Sequence, residues 1–182
     1  LAPARKEWRD ASIKARPVRA LVAPHIDPWR GALGYGRSYG ALAEAIGDDV
    51  DTFLVFGTSH APMREPFSIC PKAFATPFGD VPHDDEGCRA LAKAARFDPH
   101  ADLFNHKREH AIEFQVLFLK HVLGARPFKV IPVLAGLGRQ QSHGEDPAKD
   151  AAVAAFMDGA RELVAKRAGR VVVVAGADFA HV

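Results

Sequence analysis

The run Val171-Val172-Val173-Val174-Ala175-Gly176 decides how the rest of the sequence is interpreted. Four consecutive β-branched residues, closed by a glycine, predict a strand that is buried on both faces. The preceding stretch, residues 151–167, is rich in alanine and predicts a long helix that stops near Gly169. A helix followed directly by a continuously apolar strand is typical of a parallel sheet with helical crossovers.

The same alternation of strands and helices extends back along the chain. Short apolar or β-branched runs predict strands at 18–23, 52–56, 67–70 and 130–134. Helical patterns cover 38–46, 84–96 and 110–122, and the polar stretch 98–107 is expected to be a loop. We therefore predict a three-layer α/β/α fold, in which helices cover both faces of a mostly parallel central sheet.

Composition limits the class of protein. The chain has 182 residues, 48% hydrophobic and 25% charged, which fits a single globular domain over residues 1–182. The net charge of +2 gives no reason to expect nucleic acid or a membrane surface as a partner. The sequence lacks an apolar run of roughly 20 residues and a signal-peptide centre in residues 1–19, and it has only two cysteines. We therefore expect a cytoplasmic protein.

Polar side chains follow three of the predicted strands at the point where each strand ends. They lie just beyond a carboxyl end: His25 and Asp27, Ser59 and His60, Asp178 and His181. If these strands are neighbours, the side chains converge on one rim of the sheet, where ligands bind in such folds. Two or three imidazoles with a carboxylate suit iron, copper or zinc. The alternative for each histidine taken alone is a hydrogen-bonded loop residue.

A competing motif is His106-Lys107-Arg108-Glu109-His110, which has the H-x-x-E-H pattern of a class of zinc peptidases. That chemistry requires two histidines one helical turn apart with a glutamate base between them, all facing a cleft. The motif therefore predicts a metal-dependent hydrolase through His106, Glu109 and His110. The alternative is a polar helix start, in which Glu109 lies favourably near the positive end of the helix dipole.

Six short blocks, in this order, resemble the MEMO-like family, of the AmmeMemoRadiSam system protein B type. They are Ala23-Pro24-His25, Gly57-Thr58-Ser59-His60, Thr76–Pro82, Glu109–Gln115, Ile131–Gly136 and Asp178-Phe179-Ala180-His181. Each block is weakly specific by itself, but together they are quite specific. The resemblance implies a fold like that of the class III extradiol dioxygenases, which use non-haem iron.

The resemblance also implies roles for individual residues. His25 and His60 match the metal ligands, and Asp178 and His181 would line the same pocket. His181 stands where the dioxygenases are expected to have their acid–base histidine, and Asp178 would orient it. A third ligand is expected beyond Val182, in a C-terminal part of the domain, because neither cysteine in this sequence matches it.

Other residues near the matched blocks are expected to support the pocket. His110 and Glu113 are one turn apart on the predicted helix, so both can face the pocket, and Ser59 directly precedes His60. Asp27 departs from the usual pattern of the family after the first histidine. It would either orient the imidazole of His25 or cap a turn.

The resemblance therefore implies a metal-binding protein with an iron pocket, with copper or zinc as alternatives, and dioxygenase-like or other redox chemistry. The first alternative is a binding module without turnover, in which the same pocket takes a small-molecule or peptide ligand. The second alternative is the hydrolase predicted from the H-x-x-E-H motif.

Overall fold

The computed structural model describes residues 17–136 and 143–177. Within these ranges the strands are β1 (Ala20–Ala23), β2 (Thr52–Thr58), β3 (Phe67–Ile69), β4 (Lys129–Ala135) and β5 (Val171–Gly176). The helices are α1 (Ala32–Ala45), α2 (Asp85–Ala94), α3 (Ala111–Leu123) and α4 (Ala151–Lys166), with 3-10 helices at Leu103–Lys107 and Pro147–Lys149. No helix in the described ranges is long and apolar enough to cross a membrane.

The five strands form one sheet in the order β1-β5-β2-β4-β3. The first four in this order are parallel, and Val55 of β2 lies opposite Val174 of β5 on one side and Pro132 of β4 on the other. The fifth, β3, runs antiparallel, with Ile69 opposite Val133. The predicted mostly parallel sheet is confirmed.

Each face of the sheet is covered by a pair of helices. On β2, the side chains of Phe53 and Val55 join the core with α1 and α3, whereas Leu54 joins the core with α2 and α4. This alternation follows from the opposite directions of successive side chains in a strand. It explains why the strands are apolar at nearly every position, and it confirms the three-layer α/β/α prediction.

Two elements differ from the sequence prediction. Helix α1 begins at Ala32 rather than near residue 38, because the glycine-rich stretch that predicts a turn is helical. Gly34 explains this, since a Cβ atom there would lie 2.6 Å from Cγ of Pro24. Close packing of α1 on the loop after β1 therefore outweighs the low helix propensity of glycine. The second difference is the 3-10 helix Leu103–Lys107, in a stretch predicted to be a loop.

The carboxyl ends of β1, β5 and β2 lie at one rim of the sheet, because these three parallel strands are neighbours. The start of α3 also reaches this rim. A Cβ atom on Gly57 would lie 2.6 Å from Cγ1 of Ile112, and a Cβ atom on Gly176 would lie 2.7 Å from the Ala111 carbonyl oxygen. The absence of side chains at these two strand ends thus allows α3 to begin directly above them.

Candidate functional site

His25 lies in the loop after β1 and is buried, with 4% of its surface exposed. The preceding residue, Pro24, packs against Gly34 of α1, which anchors the loop. After His25 the chain turns sharply, and the Gly31 amide donates to the Asp27 carbonyl to lead into α1. The sequence thus presents a buried imidazole at the rim of the sheet.

His60 follows β2 by two residues and meets His25 across the rim. The Nε2 atoms of the two imidazoles are 3.1 Å apart, and the ring centroids are 4.9 Å apart. The turn that carries His60 is fixed by Ser59, whose amide donates to the Ala135 carbonyl and whose hydroxyl donates to the Ala61 carbonyl. The two histidines predicted as metal ligands are therefore brought into direct contact.

The other ring nitrogen of His60 is held by a carboxylate. Nδ1 of His60 lies 2.9 Å from Oε2 of Glu109, whose side chain is only 6% exposed. An ionised carboxylate can only accept hydrogen bonds, so Nδ1 of His60 donates. The remaining ring nitrogen of His60, Nε2, is the one that faces Nε2 of His25.

His110 is the third imidazole of the group and precedes the first residue of α3. Its ring is stacked on that of His60 with centroids 5.0 Å apart, and its centroid is 6.2 Å from that of His25. Phe114, one turn further along α3, also packs against His110, with ring centroids 5.1 Å apart. His25, His60, Glu109 and His110 are called the histidine cluster below.

Several predicted site residues have other roles or lie elsewhere. Asp27 caps a turn: hydrogen bonds from the backbone and side chain of Arg30 lower the pKa of its carboxyl group. Of the two roles considered for Asp27, the structure thus shows the turn cap. Glu113 is exposed on α3. Asp178 and His181 lie outside the described residues.

The arrangement required by the H-x-x-E-H motif is not formed, so that prediction is wrong in its geometry. His106 belongs to the 3-10 helix, whereas His110 precedes α3, so the two histidines do not share one regular helix. The Nε2 atom of His106 lies 3.0 Å from the Ser68 carbonyl oxygen, to which it donates. His106 therefore fastens the polar segment to strand β3, and Glu109 turns to His60 instead.

The structure places two residues at the rim whose contacts the sequence did not predict. Glu109 was expected only to support the site, and its direct bond to His60 spans 49 residues. Gln115 is fully buried beneath the cluster and contacts the loop before His25. Both belong to the block Glu109–Gln115 that carries the family resemblance, which was the available signal.

Among the described residues, no group of three or more histidine, cysteine, aspartate or glutamate side chains is arranged to hold a metal ion. The His25–His60 pair contributes two nitrogen donors in contact. Cys70 and Cys88 are free and buried, and burial raises the pKa of the Cys88 thiol to about 12. A thiol with so high a pKa stays protonated and is a poor metal ligand.

Comparison with known proteins gives the family of the chain. A family model described as Memo-like protein matches residues 4–182. The chain belongs to the Memo-like family. A MEMO1 family protein of Thermococcus kodakarensis is 33% identical over 171 residues, which are 91% of this chain and 54% of that protein.

Two further relatives support the assignment to the Memo-like family. A MEMO1 family protein of Aquifex aeolicus is 35% identical over 125 residues, covering 69% of this chain and 32% of the relative. A MEMO1 family protein of Methanococcoides burtonii is 30% identical over 179 residues, which are 97% of this chain and 60% of that protein. The chain spans about half the length of most curated relatives that it matches.

Proposed function

We propose that this Memo-like chain binds a non-haem metal ion through Nε2 of His25 and Nε2 of His60, and that the ion is iron, with copper or zinc as alternatives. The observation that carries the proposal is the 3.1 Å separation of these two nitrogen atoms. The rim of a parallel sheet is also where such folds bind ligands.

The donor pair fits a metal ion in both distance and chemistry. With metal–nitrogen bonds of about 2.1 Å, two nitrogens on one ion are roughly 3.0–3.4 Å apart, from octahedral to tetrahedral geometry. The separation of 3.1 Å lies within that range. Imidazole is a suitable ligand for iron, copper and zinc alike, so the donors do not select one of them.

Glu109 strengthens the proposal because it is the partner that a metal-binding histidine commonly has. A ligating imidazole usually donates its other N–H to a carboxylate, which fixes the tautomer and makes the ring a better donor. The bond from Nδ1 of His60 to Glu109 has this form. His110, stacked on His60, limits the rotation of that ring from the side.

A bound ion of this kind would supply Lewis-acid or redox chemistry toward oxygen and an organic substrate. Around it, the histidine cluster would hold the two donors, and burial of His25 would keep water from one side. His181 would move a proton to or from the substrate, with Asp178 orienting it. These last two roles rest on the family resemblance and stay predictions.

The second candidate is a binding module without turnover, which takes a small-molecule or peptide ligand in the same pocket. It is favoured by two exposed aromatic side chains on the segments that carry the cluster. Trp29, four residues after His25, is 90% exposed, and Phe104, five residues before Glu109, is 86% exposed. Exposed aromatic residues beside a polar pocket are common at recognition sites.

We also propose a cytoplasmic location and a ligand that is neither nucleic acid nor a membrane. The location is supported by the two free cysteines, since oxidising compartments favour disulfides. The choice of ligand is supported by the small net charge of +2, which offers little attraction to polyanions.

The test is elemental analysis of the purified protein, prepared anaerobically under reducing conditions, with His25→Ala and His60→Ala as variants. His121→Ala is the matched control, because His121 lies in the last turn of α3, at the end away from the histidine cluster. We expect near-stoichiometric iron or copper in the wild type and the control, and none in the two variants. If the wild type holds the metal, oxygen uptake with catechol-like substrates separates an enzyme from a binding module without turnover. Absence of metal from the wild type would overturn the metal proposal and favour the binding module.

A further inference from the structure

Gln115 on α3 joins three elements beneath the histidine cluster. Its Nε2 atom donates to the carbonyl oxygen of Pro24 at 2.9 Å and to that of Ala111 at 3.0 Å. Its Oε1 atom accepts from the hydroxyl of Tyr39 on α1 at 2.7 Å. One fully buried amide therefore holds the residue before His25 and the residue after His110.

The orientation of this amide is fixed by its partners. The carbonyl oxygens of Pro24 and Ala111 can only accept, so both N–H groups of Gln115 must face them. Burial, with a smaller effect of Tyr35, raises the pKa of Tyr39 well above its ordinary value, so its hydroxyl stays protonated and donates. A side chain that cannot donate twice, such as glutamate, cannot replace glutamine here.

The space around the amide is also closed. A Cβ atom on Gly176 would lie 2.7 Å from Nε2 of Gln115, so the end of β5 lies directly against it. Pro24 is held from its other side by its packing against Gly34. The peptide that leads into His25 is thus clamped between α1 and α3.

We infer that Gln115 is a positioning residue for the metal site: it sets the backbone before His25 so that the imidazole meets His60. This inference rests on the proposed function, because the geometry it sets is the separation of the two Nε2 atoms. Gln115 acts through the backbone of Pro24, whose carbonyl oxygen accepts a hydrogen bond from its Nε2 atom.

The experiment compares Gln115→Glu and Gln115→Met with the wild type, and uses Tyr39→Phe as the matched control. Tyr39→Phe removes the bond to Oε1 but leaves both bonds from Nε2. Two properties are measured: the dissociation constant for Co²⁺ as a probe metal, and the NMR resonances of the histidine ring nitrogens in the metal-free protein. Gln115→Met keeps the volume without a buried charge, so it serves if Gln115→Glu does not fold.

In both Gln115 variants we expect Co²⁺ affinity to fall about 10- to 100-fold, as for other outer partners of metal ligands. The ring resonances of His25 should shift, while those of His106, which is bonded to the Ser68 carbonyl on β3, should stay in place. Tyr39→Phe should lower the melting temperature and keep near-wild-type affinity. Wild-type affinity and unshifted His25 resonances in folded Gln115 variants would overturn the inference. If the wild type binds no Co²⁺, the proposed function fails, and the His25 resonances still decide the positioning role.

Discussion

Oε2 of Glu109 lies 2.9 Å from Nδ1 of His60, although 49 residues separate the two in the chain. The contact forms because α3 begins directly above Gly57. Gly57 lies near the end of β2, two residues before Ser59. The close approach of helix to strand thus has a chemical consequence. It presents a buried carboxylate to the outer nitrogen of an imidazole whose inner nitrogen faces His25.

Replacing Glu109 should weaken metal binding without removing a ligand. We expect Glu109→Ala to lower Co²⁺ affinity about 10- to 100-fold, because His60 loses the partner that fixes its tautomer. Glu109→Gln should have a smaller effect, since its amide oxygen can still accept from Nδ1. Titration with Co²⁺ measures both. Glu113→Gln, at an exposed position in the first turn of α3, is the control. Equal affinity in Glu109→Ala and this control would contradict the prediction.

The sequence was sufficient to predict the layers and most of the strands and helices. Runs such as residues 171–174 are apolar on both faces, which is typical of a buried strand in a parallel sheet. Strand ends were also predictable, and with them the meeting of His25 and His60. The beginning of α1 was not, because Gly34 has low helix propensity and its benefit comes only from Pro24, ten residues earlier. Local patterns do not contain such contacts.

The chemistry of the site was less predictable than its location. The motif His106–His110 matched a peptidase pattern, and only the break between the 3-10 helix and α3 shows that its histidines serve different partners. Likewise, Glu113 has helical spacing from His110 but is exposed, whereas Glu109, outside the helix, turns inward. The direction of a side chain at the start of a helix depends on how the helix packs on the sheet. The spacing of residues in the sequence does not give that information.

Adding one methyl group at Gly57 should disrupt the docking of α3. In Gly57→Ala the new Cβ would lie 2.6 Å from Cγ1 of Ile112 and 3.0 Å from its backbone nitrogen, so the helix must shift. We expect the free energy of unfolding to fall by about 1–3 kcal/mol, typical of an overpacked core. Urea denaturation measures it.

Gly47→Ala is the control for Gly57→Ala, because its new Cβ would meet only Cγ2 of Val50, at 3.8 Å. Its free energy of unfolding should change by less than about 0.5 kcal/mol, as for most surface substitutions. A similar small change in Gly57→Ala would show that α3 does not depend on this close approach.

The hydroxyl of Ser68 on β3 is buried and has no hydrogen-bond partner among the described residues. Ser68→Ala removes this unsatisfied group, so we expect the free energy of unfolding to rise by about 1 kcal/mol. Ser38→Ala makes the same chemical change where the hydroxyl does donate, to the Val22 carbonyl at 2.9 Å. In Ser38→Ala the free energy of unfolding should fall by about 1 kcal/mol. If Ser68→Ala is destabilised as well, the expectation for Ser68 is refuted.

His106 should make stability depend on pH in the mildly acidic range. Burial lowers the pKa of His106 from 6.5 to about 4, and its neutral ring donates to the Ser68 carbonyl. Between these two values the unfolded chain takes up a proton that the folded protein does not. The stabilisation is therefore complete above about pH 6.5 and is lost progressively as the pH falls toward about 4.

The change attributable to His106 should be of the order of 2–3 kcal/mol over that interval. Urea denaturation gives the free energy of unfolding of the wild type and of His106→Gln at about pH 7 and about pH 4.5. The contribution of His106 is the difference between the two proteins in how much of that free energy is lost on acidification. Glutamine keeps an N–H donor for the Ser68 carbonyl but cannot titrate, so other acidic groups contribute equally to both proteins and cancel. The wild type should lose more stability than the variant on acidification. Equal losses would mean that the folded protein protonates His106 as readily as the unfolded chain does, and the ring would then not be buried as the structure has it.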